Sequence, residues 1–287
     1  AKLNDMDISD RLFILLYNTL GACLEQILYL LGPLFLIGFA LHFVSEFRSR
    51  AFAASIGSKA ELFLTGWIGI PVHEMGHAVF CIIFRHKITE AKFFSPEEDG
   101  TMGYVRHEYN PKSTYQKIGN FFIGIAPMLF GTLVIYVLFR ILLFQSQELN
   151  GSGEFLKNFL YSLTNDGSFG SWRFWVFIYL SFGIASHMKL STQDFKGAIG
   201  GLITLLCLIF LINLIANIIF TSNPELGFSD EFKRLHSLFT LIMLYALAIS
   251  VIYMMFSYLL FGIANFLVLP VFRKVHKIFS MIFRVRK

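Results

Sequence analysis

Apolar residues run along this chain in blocks too long for the interior of a soluble domain. Stretches at 24–44, 62–84, 118–144, 198–220 and 238–269 each reach the roughly 20 residues with which a helix crosses a bilayer. A shorter block, Trp172–Ser186, is expected to be a sixth span that ends inside the membrane or at its interface. Residues 11–20 mix apolar and polar positions, as an interfacial amphipathic helix or the first turns of one long helix would, with Gly32-Pro33 as a place for a kink. Segment 87–109 reads as two extended runs around a turn-rich connection, Ser95-Pro96-Glu97-Glu98-Asp99-Gly100, hence a β-hairpin. Segment 145–171, rich in Gly, Ser and Asn, reads as an irregular exposed loop. The pattern predicts an all-α polytopic membrane protein of about six transmembrane helices, with one small β-hairpin, forming a single domain over 1–287.

Composition agrees with the pattern. Of the 287 residues 55% are hydrophobic and only 15% charged, with a mean hydropathy of +0.63, whereas a soluble domain carries about 25% charged residues. No signal peptide with a small-residue cleavage site is recognisable, so the first apolar block is expected to stay as an anchor. The three cysteines, Cys23, Cys81 and Cys207, all lie in apolar blocks and form neither a disulfide framework nor a Cys-x-x-Cys pattern. A net charge of +5 is better explained by loop charges that orient the chain than by a nucleic-acid partner. Six spans put both termini on one side. Lys and Arg are about twice as numerous there as opposite, which places both termini in the cytoplasm of a plasma or inner membrane. The basic tail at 272–287 alternates cationic and apolar residues. It suits either a helix on anionic lipids or a simple topogenic cluster.

The second apolar block carries the chemistry. His73-Glu74-Met75-Gly76-His77 places two histidines four residues apart, on one face of a helix, where both imidazoles can hold one metal ion. Glu74 stands beside them, able to take a proton from a water activated by the metal. The pattern is common by chance, but its position is not: a charge near the bilayer centre costs about 2.5–3.5 kcal/mol on insertion scales. A catalytic zinc takes three protein ligands and leaves a position for water. The third ligand is expected from Ser186-His187-Met188-Lys189-Leu190-Ser191-Thr192-Gln193-Asp194. Asp194 opens the next apolar block, where a carboxylate complements a helix N-terminus. As a helix cap it competes with Ser191 and Thr192. His187 is the rival ligand, or else a donor that orients one.

These residues resemble the site-2 protease group of intramembrane zinc metallopeptidases, over roughly 62–220. The resemblance implies a catalytic core of three helices and zinc held by His73, His77 and Asp194. It also implies that Glu74 is the general base and that transmembrane proteins are cleaved near the cytosolic face. The chain departs from the family's Asn-x-x-Pro-x-x-x-x-Asp-Gly pattern, since Asp194 is followed by Phe195-Lys196-Gly197. Gly124-Ile125-Ala126-Pro127 is similar to the family's Gly-Pro motif, without the Asn that often follows. Three other readings use the same residues: an inactive protease that binds membrane partners, a zinc hydrolase of a lipid-linked substrate, and a metal transporter. The last needs several polar spans and internal repeats, and the chain has one concentrated site and no clear repeat.

Overall fold

The computed structural model describes residues 7–55, 57–96, 102–143, 157–158, 161, 170–219, 228–263 and 266. The tail at 272–287, most of 145–171 and the hairpin connection at 97–101 lie outside them. In chain order the elements are α1 (Ile8–Ala54), α2 (Ser58–Glu61), a π-helical turn (Leu62–Gly66) and α3 (Trp67–Ile83). Strands β1 (Lys87–Lys92) and β2 (Tyr104–Glu108) follow, then α4 (Thr114–Gly124), α5 (Ala126–Leu142), α6 (Trp172–Ser186), α7 (Thr192–Ile219) and α8 (Asp230–Ile263). The chain is thus mostly helical, with the expected small sheet after the histidine helix.

The number of spans differs from the expectation. Four stretches are long and apolar enough to cross a membrane: α1, Lys59–Ile83, α7 and α8. Helices α4 and α5, bent by 63°, add a fifth if they form one broken span. The expected sixth is α6, whose 15 residues cover about 22 Å at 1.5 Å per residue, short of a hydrocarbon core about 30 Å thick. Six spans are therefore not reached among the described residues, and the placement of both termini on one side has no support from the helix count. Residues 11–20 join the first block in one 47-residue helix, capped by the Asp7 carboxylate on the Ile8 N–H.

Small residues set the core. Gly124 and Gly201 bring α4 and α7 together so closely that a Cβ on Gly124 would stand 2.6 Å from the Ala198 methyl, and one on Gly201 would strike the α4 backbone. Such close approach is how helices associate where lipid removes the hydrophobic drive. Farther along α7, Asn213 and Gln26 of α1 exchange amide hydrogen bonds at 2.9 and 3.3 Å, and Asn217 donates to Thr19 at 3.2 Å. Apolar side chains including Leu41, Phe121, Ile135, Phe139, Phe177 and Met243 fill the space between α1, α4, α5, α6 and α8.

The hairpin hangs on the end of α3. Arg85 takes a left-handed φ of 59°, and the His86 and Arg85 N–H groups return to the Cys81 and Ile82 carbonyls at 2.8 and 3.1 Å, a helix-terminating turn. Antiparallel pairing runs from Lys87 opposite Glu108 to Lys92 opposite Tyr104, with an irregularity between Ile88 and Glu90. His86 Nε2–H donates to the Gln116 carbonyl at 2.9 Å, leaving Nδ1 to accept from His107 Nδ1–H at 3.0 Å. Tyr109 stacks on His86. Burial, followed by the neighbouring His86 imidazole, holds His107 down to about 4, and burial also lowers His86. Above pH about 6.5 both rings are neutral whether or not the hairpin is docked. Between about 6.5 and 4 the undocked form takes up protons that the docked form refuses, so docking weakens as pH falls. Hydrogen-exchange protection of the β1 and β2 amides is expected to drop across that window, and His107→Gln to flatten the dependence.

Candidate metal centre

Helix α3 presents His73 and His77 one turn apart, and α7 brings Asp194 to them in its first turn. Nε2 of His77 lies 3.2 Å from Nε2 of His73 and 3.2 Å from Asp194 Oδ1, and His73 Nε2 lies 3.7 Å from Asp194 Oδ2. Four ligands placed tetrahedrally at 2.0–2.1 Å around zinc stand about 3.3 Å apart, so the two imidazole nitrogens and the carboxylate lie at a spacing compatible with one shared ion. Among the described residues this is the one group of three or more His, Cys, Asp or Glu side chains with that convergence. Cys81, on the same helix face, is buried but stands apart from it.

Both imidazoles are turned the right way by backbone carbonyls. His77 Nδ1–H donates to the Ile123 carbonyl at 2.8 Å and His73 Nδ1–H to the His187 carbonyl at 2.7 Å. Each ring therefore keeps its Nε2 lone pair for the centre, the device by which proteins commonly fix the tautomer of a metal-binding histidine. The two carbonyls are available for local reasons. Ile123 lies in the last turn of α4, and the residue four positions on, Pro127, has no N–H to give it. His187 follows the last residue of α6, so its carbonyl is outside the helical ladder.

Asp194 is both a cap and part of the cluster. Its Oδ2 accepts the Ser191 N–H at 2.7 Å, while its own N–H donates to Ser191 Oγ at 3.1 Å. This reciprocal box at the start of α7 fixes the carboxylate and leaves Oδ1 toward His77. The close α4–α7 packing supplies the approach, because the Asp194 carbonyl lies against Gly124. His187, the rival third ligand, contributes its carbonyl. Its ring turns away, with Nδ1 at 3.1 Å from the Gly183 carbonyl and 2.9 Å from Ser186 Oγ, and it lies outside the converging set.

Glu74, 8% exposed, lies between two cavities of about 540 and 450 Å³. The first holds His77, His107, Asn120 and Asp194, the second Arg48, Glu61, His187 and Lys189, and His73, Glu74, Gly103 and Ser191 line both. Gly103, just before β2, covers the Glu74 side chain: a Cβ there would stand 2.9 Å from Glu74 Cγ. Space is left beside the carboxylate only because residue 103 has no side chain. A separate apolar groove of about 280 Å³, lined by Leu34, Phe35, Phe39, Met128 and Phe195, reaches the centre at Ser191 and Thr192.

Sequence reasoning assembled the four side chains but missed the carbonyls that orient two of them. Pro127 four residues after Ile123 was the available signal for one. Arg48 and Glu61, for which the sequence carries no signal, are buried beside the centre. No family model, curated protein or solved structure matches the chain.

About one metal ion per chain is expected in protein purified without chelators. Asp194→Ala, His73→Ala and His77→Ala should each lose it by elemental analysis, and His187→Ala, which keeps the carbonyl, should retain it. Helix α3 crosses α6 at Gly69, where a Cβ would collide with the Gly183 carbonyl and the His187 ring. Gly69→Ala is therefore expected to destabilise the fold by about 1–3 kcal/mol and to weaken metal binding, read by thermal melting and chelator competition.

Proposed function

We propose that this chain is an intramembrane zinc metallopeptidase that hydrolyses peptide bonds of transmembrane substrates near the cytoplasmic face. The observation that carries the reading is the convergence of two oriented imidazoles and one capped carboxylate, with Glu74 beside them on a cavity wall. Three donors, with no fourth His, Cys, Asp or Glu among the described residues, favour an open centre over a closed structural one. His73, His77 and Asp194 would hold the ion, and when bound it supplies Lewis acidity toward a water and the scissile carbonyl.

The chain's own groups do the rest. Glu74 accepts a proton from the attacking water at its carboxylate and delivers it to the leaving amine. A transmembrane helix hides its peptide bonds in its own hydrogen bonds, so the substrate has to enter locally unwound. The two-stranded sheet leaves a free edge on each strand among the described residues, and β2 begins beside the residue that covers Glu74. A strand edge there supports capture of an extended substrate segment by backbone pairing. The apolar groove between α1, α5 and the start of α7 offers a place for substrate side chains next to the centre.

The test is zinc content and turnover in proteoliposomes, with a fluorogenic single-span peptide carrying a Gly-Pro break in its cytoplasmic half. Glu74→Gln is expected to keep wild-type zinc and lose at least about 100-fold in rate. Undiminished cleavage by Glu74→Gln would remove the general base. Zinc-loaded wild type that cleaves no such peptide would leave an inactive binding protein or a hydrolase of lipid-linked molecules.

A further inference from the structure

Two charged residues lie buried beside the centre without belonging to it. Arg48, near the end of α1, is 2% exposed, and its Nε donates to Glu61 Oε1 at 2.7 Å. Nη2 of the same guanidinium donates to Ser45 Oγ at 3.1 Å and to the Ser186 carbonyl at 3.0 Å. Ser49 Oγ donates to Glu61 Oε1 at 3.2 Å, which holds the carboxylate from a second side. The guanidinium lies over the Tyr253 ring at 5.3 Å. A buried ion pair is weak evidence of stabilisation, because a packed apolar pair of similar volume is often as stable or more so. Retaining one here calls for another role.

The contacts of Arg48 indicate what that role is. Ser186 is the last residue of α6, so its carbonyl is among those a helix end leaves without a backbone donor. Arg48 gives it one, and also places a cation at the negative end of α6. The next residue is His187, whose carbonyl takes the His73 Nδ1–H at 2.7 Å. Glu61, Arg48, Ser186, His187 and His73 are thus linked by hydrogen bonds through two successive carbonyls, those of Ser186 and His187. The links lead from the segment before α3, through α1, to the end of α6 and back to α3. Arg48 and Glu61 also share with His73 and Glu74 the walls of the 450 Å³ cavity. Every link except the His73 ring lies away from the ligand atoms.

We propose that the Arg48–Glu61 pair is a positioning device for His73: it pins the Ser186–His187 turn, and so fixes the tautomer and direction of the imidazole offered to the metal. The proposal rests on the metal reading of the centre only for its effect on affinity. An arginine suits the task, because its planar fork reaches a carboxylate and a carbonyl in two directions at once, which a single ammonium does not.

The decisive variant is Arg48→Met combined with Glu61→Leu, which removes both charges together and leaves neither unpaired. Two quantities are read: the zinc dissociation constant by chelator competition, and the imidazole ¹⁵N shifts of metal-free, histidine-labelled protein. The His73 signal is assigned by its loss in His73→Gln. Wild type is expected to show one tautomer at His73, with the proton on Nδ1. The double variant should melt close to wild type, show mixed tautomers and bind zinc about 10- to 100-fold more weakly, the usual effect of removing a group that orients a ligand. Wild-type affinity together with a single tautomer in the double variant would overturn the proposal. If the double variant does not fold, Arg48→Lys carries the test, since it keeps the cation but lacks a second nitrogen for Ser186. Mixed tautomers and weakened zinc binding there support the role, and wild-type values overturn it. The tautomer needs no metal. Wild type that binds no zinc, yet holds one tautomer that the variant loses, removes the metal reading while the positioning role stands.

Discussion

The arrangement depends on two backbone carbonyls that helices leave without partners. A backbone carbonyl left out of the helical ladder needs another donor, and here each finds an imidazole N–H. The same bond serves both partners: it satisfies the carbonyl and it fixes which nitrogen of the ring faces the centre. The breaks in the helical ladder at Ile123 and His187 are therefore the origin of the geometry. They come from Pro127, which lacks the needed hydrogen, and from the end of α6 at Ser186.

Those breaks would be of no use if the helices stood at ordinary distances. Gly124 and Gly201 let α4 and α7 touch along their backbones, and Gly69 does the same for α3 and α6. Close crossings bring the carbonyls and Asp194 within reach of α3, and the amide pairs between Gln26 and Asn213 hold the other end of α7 to α1. Packing and polar satisfaction are one problem in this protein. A methyl group added at a crossing moves a hydrogen-bond acceptor, and a lost acceptor frees a ring.

Much of the frame was legible in the sequence, because apolar block length and the four-residue histidine spacing depend on local periodicity alone. The hairpin was legible for the same reason, as two short extended runs around a turn cluster. Asp194 could be named because the histidine pair needs a third donor and the segment 186–197 offers only His187 and Asp194; that one carboxylate serves as cap and cluster member at once emerged only from the fold. The span count was less legible. Block length showed that Trp172–Ser186 is short, but it does not reveal that the chain bends by 63° at Ile125, near the start of the block 118–144. The burial of Arg48 and Glu61 was not legible, because a single sequence does not show that two chain segments fold around them. Backbone acceptors were the hardest to see, since a carbonyl carries no residue identity.

The ligand atoms are far apart along the chain although adjacent in space. His73 and His77 are synthesised well before Asp194, with the hairpin and, among the described residues, the three helices α4, α5 and α6 in between. A nascent chain folds from its N-terminus onward, and at that stage it offers the two imidazoles without the Asp194 carboxylate. The last donor arrives only when α7 has inserted and docked against α4. Were the centre to hold an ion, its occupancy would record completed assembly, because a chain arrested before α7 carries both histidines but lacks Asp194.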